Sequence, residues 1–139
     1  MISIIIGNKG SGKTKKLIDL VNSTTSQSKG NVICIEKGDT LTYNITHKAR
    51  LVDIEAYGIT NYTEYYAFLK GMCAGNHDVT DIFGDATLRI GGRDYNEFAK
   101  FVAALSEFAE KTDIKFCFTV SCDESDLPKE IFDNVSVIK

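Results

Sequence analysis

The chain has no tryptophan, one proline, two histidines and three arginines in 139 residues. Four cysteines are present, Cys34, Cys73, Cys117 and Cys122. They form no C-x-x-C pair and lie at no metal-binding distance from a histidine, which excludes a zinc-finger type of site. Each reads instead as a small apolar residue of a reduced protein. His47 and His77 stand alone and read as surface residues. No apolar run approaches the roughly eighteen residues that a membrane span needs, so no membrane span is expected. No basic-then-apolar leader opens the chain, because strand-like residues begin at once, and a cytoplasmic protein is expected. Sixteen basic against nineteen acidic residues give a net charge of −3. That balance offers no broad basic face, so nucleic acid is not the expected partner. Without a linker, internal repeat or low-complexity tract, residues 1–139 read as one domain.

The stretch that organises the chain is Gly7-Asn8-Lys9-Gly10-Ser11-Gly12-Lys13-Thr14. It satisfies the pattern G-x-x-x-x-G-K-S/T of a phosphate-binding loop. Before it runs Met1-Ile2-Ser3-Ile4-Ile5-Ile6, apolar and β-branched like a buried parallel strand. After it, Leu17, Ile18, Leu20 and Val21 mark one side of a helix. Glycines at 7, 10 and 12 permit backbone angles that a Cβ forbids, and successive N–H groups can then face an anion. The helix beginning at the loop adds its positive N-terminal end. Lys13 would reach the β- and γ-phosphates, and the Thr14 hydroxyl would ligate Mg²⁺. Lys9, Lys15 and Lys16 read as further members of the same phosphate pocket. All eight residues from Gly7 to Thr14 are therefore candidate nucleotide-binding residues.

The remaining chain alternates between strand and helix signals. The first helix is expected over about Lys13 to Asn22, with a polar loop from Ser23. Apolar runs at Asn31–Ile35, Arg50–Ile54, Asp78–Phe83, Ile114–Val120 and Val135–Ile138 read as strands. Asn61-Tyr62-Thr63-Glu64 and Asp94-Tyr95-Asn96-Glu97 are capping-box patterns, each opening a helix. Gly75 can end the first of these, and Pro128 starts a short helix. Ala86 to Arg93 reads as a glycine-containing loop, made mobile by its glycines. The predicted fold is α/β: a single-domain P-loop NTPase fold with a mostly parallel sheet flanked by helices. Ligands of such sheets lie at the carboxyl ends of the strands. The loop at 7–14, Glu36 to Asp39, Asp85 and Ser121 all fall on that edge.

A phosphate loop also needs a carboxylate to hold Mg²⁺ at the end of an apolar strand. Asp85 is the candidate, and with Thr14 it forms the expected metal pair. Ala86 stands where many hydrolytic enzymes carry a water-polarising glutamate. Glu36 and Asp39 are alternative acids; Lys13, Asp85 and Glu36 together make the candidate catalytic set. Ser121 is a candidate sensor of the γ-phosphate. Arg89 and Arg93 suggest an arginine finger acting in cis or from a neighbouring subunit.

Taken together, several stretches resemble a group of small P-loop ATP-binding proteins from anaerobic Gram-positive bacteria. These stretches are Gly7 to Thr14 with Lys15-Lys16-Leu17, the strand ending at Asp85, and Phe118-Thr119-Val120-Ser121 leading to Leu127-Pro128-Lys129-Glu130. Some of that group carry the label of the twitching-motility retraction ATPase. Those motors are larger two-domain machines with acidic and histidine boxes, which have no counterpart here. The resemblance thus implies ATP and Mg²⁺ as ligands without implying a motor.

Three functions are consistent with these residues. One is a Mg-ATP-binding protein with slow hydrolysis, completed by self-association or a protein partner. Another is a small-molecule, nucleoside-type kinase. The third is a non-catalytic nucleotide-dependent switch. A nucleoside triphosphate is the shared ligand, and no motif reads its base.

Overall fold

A computed structural model describes residues 1–139. Strand β1 (Ile2–Ile6) leads through the glycine-rich loop into helix α1 (Lys13–Gln27). Strands β2 (Asn31–Glu36) and β3 (Arg50–Asp53) follow, then α2 (Tyr62–Ala74), β4 (Val79–Gly84) and the short α3 (Thr87–Gly91). Helix α4 (Tyr95–Thr112), β5 (Lys115–Val120) and β6 (Val135–Ile138) complete the chain. The six strands form one sheet in the order β3-β2-β4-β5-β1-β6. Every pairing is parallel. The chain is thus an α/β protein with an all-parallel sheet flanked by helices. No helix is long and apolar enough to cross a membrane.

The period-2 alternation of the strands sorts side chains between two cores. Ile2 and Ile4 of β1, Ile33 and Ile35 of β2, and Phe116 and Phe118 of β5 enter the larger one. Ile5, Val32, Cys34, Phe83 and Cys117 point the other way, onto Leu17 and Val21 of α1. The larger core is aromatic. Tyr65 of α2 stacks on Phe101 of α4 at 5.3 Å, and Phe101 meets Phe118 edge-on at 5.7 Å. The rings of the two capped helices therefore serve packing. Phe98, Phe101, Val102, Leu105 and Ala109 form the buried stripe of α4 that the spacing predicts.

Two stretches differ from the sequence reading. Helix α1 runs five residues past Asn22, through the polar segment read as loop. Ser23, Thr25 and Ser26 turn their hydroxyls back onto the carbonyls of Leu20, Val21 and Ser23. Their hydrogen bonds are thus met within the helix despite their low propensity for it. Residues 86–93, read as a loop, contain α3. Both capping-box predictions place the helix starts correctly. Asn61 accepts from the Glu64 N–H, and Asp94 accepts from those of Asn96 and Glu97. The Glu64 carboxylate, however, reaches the N–H of Thr60, one residue before the cap.

Candidate functional site

The site begins with the turn after β1. The Ser11 N–H donates to the Asn8 carbonyl at 3.1 Å, folding the loop back on itself. Gly10 and Gly12 take φ of +84° and +87°. In this left-handed region an L side chain is strained, and both glycines leave open space where a Cβ would stand. At Gly7 a Cβ would collide with the Ser11 hydroxyl.

Helix α1 starts at Lys13, capped by Gly12 with no side-chain hydrogen bond, and has no acidic residue in its first turn. Lys13, Lys15 and Lys16 stand there instead, cations at the positive end of a helix dipole. Helices α2 and α4 do the opposite, with Asn61 and Asp94 as caps and Glu64 and Glu97 in the first turn. The first turn of α1 therefore carries neither a side-chain cap nor an acid to offset its dipole.

The side chain of Lys13 lies back along the loop and is only 8% exposed. Its Nζ donates to the Asn8 carbonyl at 2.9 Å. Desolvation pulls its pKa below the usual lysine value, and the nearby charge of Asp85 opposes that shift.

The second half of the site comes from β5 and from β4, which is not a neighbour of β1. Strand β5 lies between β1 and β4, pairing Ile5 with Thr119 on one side and Gly84 with Phe118 on the other. Asp85 is the next residue after Gly84, and its own N–H still donates to Ile35 of β2 at 2.8 Å. Its carboxylate reaches across the top of β5 to the loop. The Thr14 hydroxyl lies 3.3 Å from each of its oxygens, across seventy-one residues of sequence. Thr119 holds the same carboxylate from below, donating to Oδ1 at 2.6 Å. The Thr119 oxygen in turn accepts from the Ala86 N–H at 3.0 Å.

These residues enclose a cavity of about 830 Å³. The loop contributes Asn8, Lys9, Gly10, Lys13 and Thr14 to its wall. The stretch after β4 contributes Asp85, Ala86, Leu88, Arg89 and Arg93, and β5 with its following residue contributes Thr119 and Ser121. The charges are Lys9, Lys13, Arg89 and Arg93 against Asp85 alone. A chain of net charge −3 thus concentrates positive charge in one cavity. Neither arginine takes part in an ion pair.

The segment bearing both arginines is fastened at three points. The Lys37 ammonium donates to the Arg89 carbonyl at 2.9 Å, and the Tyr62 hydroxyl to the Gly92 carbonyl at 2.6 Å. Arg93 Nη2 donates to the Ser121 carbonyl at 2.8 Å. The expectation of a mobile loop gives way here to a tethered short helix.

Of the residues the sequence singles out, Asn8, Lys9, Gly10, Lys13, Thr14, Asp85, Arg89, Arg93 and Ser121 line one cavity. Gly7, Ser11 and Gly12 shape the loop without lining it. Lys15 points away, 3.6 Å from Asp19 across one helical turn, and Lys16 is exposed.

Glu36, a candidate acid of the sequence, is not brought together with the others. It is buried at 2% exposure and outside the cavity. One of its oxygens accepts from the N–H and hydroxyl of Thr40, and both lie 3.3 Å from the Leu41 N–H. It caps the turn after β2, and its lone pairs are committed to that task. Asp39 is exposed and lies outside the cavity as well. Thr119 is the site residue the sequence reading passed over. Its signal was a single hydroxyl among the apolar side chains at the carboxyl end of β5.

Burial pushes Cys34 and Cys117 up to about 12 and Cys122 up to about 11, so none forms a thiolate near neutrality. No cluster of three or more His, Cys, Asp or Glu side chains is placed to hold a metal.

Fold and site together define a parallel α/β protein with a cation-lined cavity at the carboxyl edge of its sheet. No protein-family model matches the chain, and no curated protein matches it.

Proposed function

We propose that this chain has a P-loop NTPase fold and binds Mg-ATP, acting as a slow or partner-stimulated ATPase. The observation that carries the proposal is the meeting of Thr14 with Asp85 at the mouth of the glycine-rich loop. A hydroxyl and a carboxylate side by side are hard oxygen donors suited to Mg²⁺, which takes few protein ligands and completes its shell with phosphate and water. Mg²⁺ when bound supplies charge that stabilises the β- and γ-phosphate oxygens.

The chain's own residues do the rest. Loop N–H groups and the start of α1 receive phosphate oxygens, and Lys13 exchanges the Asn8 carbonyl for a phosphate. Thr119 holds Asp85 in place for the metal. The four free thiols suit a reducing compartment, and a cytoplasmic location belongs to this reading.

Hydrolysis is slow in this proposal because Asp85 is the only acid lining the cavity. With Ala86 beside it and Glu36 committed elsewhere, no carboxylate is free to polarise a water. A site short of one positioned group loses several kcal/mol of transition-state stabilisation. The same observation favours a second reading, a nucleotide-dependent switch without turnover.

The test is calorimetric titration with Mg-ATP, followed by phosphate release over a wide range of protein concentration. Binding that is lost in Lys13→Ala is expected, with turnover far below the roughly 1–10³ s⁻¹ of typical enzymes. Turnover that rises with concentration and collapses in Arg89→Ala supports completion by a second copy. Tight binding without release supports the switch. Equal affinities of wild type and Lys13→Ala overturn the phosphate-cradle reading.

A further inference from the structure

We infer that the site recognises the phosphate chain and not the nucleobase, so that its ligand class is any organic 5′-triphosphate. In this inference, which rests on the nucleotide-binding reading above, Arg89 and Arg93 set a preference for three phosphates over two.

The first support is the make-up of the cavity wall. Its only apolar residues are Ala86 and Leu88, and it includes no aromatic ring. Base-selective sites hold the ring on a stacking face and read its edge with paired donors and acceptors. Here the rings are used elsewhere. Tyr62, Tyr65, Phe98, Phe101, Phe116 and Phe118 pack in the core, and the exposed Tyr43 and Tyr57 stand outside the cavity. What the wall offers instead is charge suited to phosphate.

The second support is direction. Thr14 and Asp85 would hold Mg²⁺, which would supply charge to stabilise the terminal phosphates, so these two residues would mark the γ end of a bound triphosphate. The segment from Ala86 to Arg93 leaves directly from Asp85 and walls the cavity on that side. The remaining lining residues, Asn8, Lys9, Gly10, Lys13, Thr119 and Ser121, offer no stacking face to a nucleobase. At the start of α1, outside the cavity wall, Lys15 is 81% exposed and paired with Asp19, and Lys16 is exposed. In this inference the base is held by no pocket of its own.

The third support is that both arginines lack carboxylate partners. The one hydrogen bond either side chain makes is from Arg93 to a main-chain carbonyl, which leaves most guanidinium donors of the pair free. A planar fork of N–H donors matches a terminal phosphate with two or three free oxygens. In this inference a diphosphate lacks the terminal group that they would bind.

The experiment is calorimetric titration of the full chain, in Mg²⁺, with ATP, GTP, CTP, UTP, inorganic tripolyphosphate, ADP and adenosine. The four nucleoside triphosphates are expected to agree within about threefold, with tripolyphosphate within about tenfold of them. ADP is expected to bind at least about tenfold more weakly than ATP, and adenosine not to compete. Arg89→Gln is expected to narrow the ATP-to-ADP gap. The Arg89 side chain makes no hydrogen bond in the fold, so its removal leaves the structure intact. Arg93→Gln tests the same point, with its melting temperature as a check on the lost Ser121 contact.

ATP binding more than about tenfold tighter than GTP and CTP overturns the inference and leaves the nucleotide-binding proposal standing. So does an ATP-to-ADP gap unchanged in both arginine variants. Failure of every compound to bind overturns both.

Discussion

The Thr119 hydroxyl sits 2.6 Å from Oδ1 of Asp85 and simultaneously accepts the Ala86 N–H at 3.0 Å. One buried hydroxyl thus fixes a carboxylate and the backbone that follows it. The consequence is rigidity where β4 leaves the sheet. Ala86 needs it, since its φ of +53° and ψ of 41° are left-handed for a residue with a Cβ.

Thr119→Val keeps the shape and removes the hydroxyl. It leaves an N–H without its acceptor and a carboxylate without its donor, at an expected cost of about 1–3 kcal/mol in stability. Urea denaturation measures the loss. Thr119→Ser, which keeps the hydroxyl, is expected to recover most of it, together with Mg²⁺-dependent nucleotide affinity. Unchanged stability in Thr119→Val with a loss in Thr119→Ser would show that the methyl group mattered and the hydrogen bonds did not.

Asp85→Asn and Glu36→Gln separate metal binding from folding. Asp85→Asn is expected to weaken Mg-ATP binding about tenfold while leaving metal-free nucleotide binding nearly unchanged. Glu36→Gln turns an amide NH₂ toward main-chain donors in a buried turn. It is expected to cost about 1–3 kcal/mol of stability without changing the affinity of folded protein. Calorimetry with and without Mg²⁺, alongside denaturation, reads both. A Mg²⁺-dependent defect in Glu36→Gln alone would move the metal to β2.

Lys13 predicts a pH dependence. Its folded pKa lies below 10.5 because burial disfavours the charged form. Between that lowered value and 10.5 the unfolded chain holds more protons than the folded one. The stability of the free protein therefore rises with pH through this window as far as Lys13 is concerned. Phosphate binding runs the other way. It needs the ammonium form, so affinity is expected to fall as pH climbs past the lowered value, before an ordinary lysine would titrate. Calorimetric titrations from pH 7 upward test this, with Lys13→Ala expected to flatten the trend.

Tyr65 is wholly buried and its hydroxyl has no hydrogen-bond partner. Its ring stacks on Phe101. Tyr65→Phe keeps the stacking and removes the unpaired polar atom. Stability is expected to stay level or rise by about 1 kcal/mol, with nucleotide affinity unchanged. A loss of more than about 1 kcal/mol would show that the hydroxyl is engaged in solution.

Asp113 ends α4 at a φ of +60°, where glycine is the preferred residue. Asp113→Gly is expected to raise stability by up to about 1 kcal/mol, read as a higher melting temperature. It lies outside the cavity wall and should leave nucleotide binding untouched. A lower melting temperature would mean that the carboxylate contributes more than the left-handed backbone costs.

The residues that announce themselves locally were legible in the sequence. Apolar runs became strands because burial on both faces of a parallel sheet demands them. Asn61 and Asp94 marked helix starts because a cap needs only residues within one turn. The glycines at 7, 10 and 12 specified the loop for a similar reason, since backbone angles are a local property. Polar helix ends were harder. The last turn of α1 depends on hydroxyls bonding backward to Leu20 and Val21, and α3 hides between glycines that suggest a loop.

What the amino-acid sequence determined by itself was the alternation of strand and helix, the loop from Gly7 to Thr14 and the positions of its charges. Only the tertiary structure decided which acid joins that loop. Glu36 ends one buried strand and Asp85 follows another; the sequence favours Asp85 but leaves Glu36 open as an alternative. The strand order decides between them, because β4 pairs with β5, and β5 with β1. That order brings Asp85 to 3.3 Å from Thr14, while Glu36, one strand farther out, turns into its own loop. Pairing across the sheet is a long-range choice, made by how whole faces pack. The meaning of Thr119, a lone hydroxyl in an apolar strand, exists only after that choice is made.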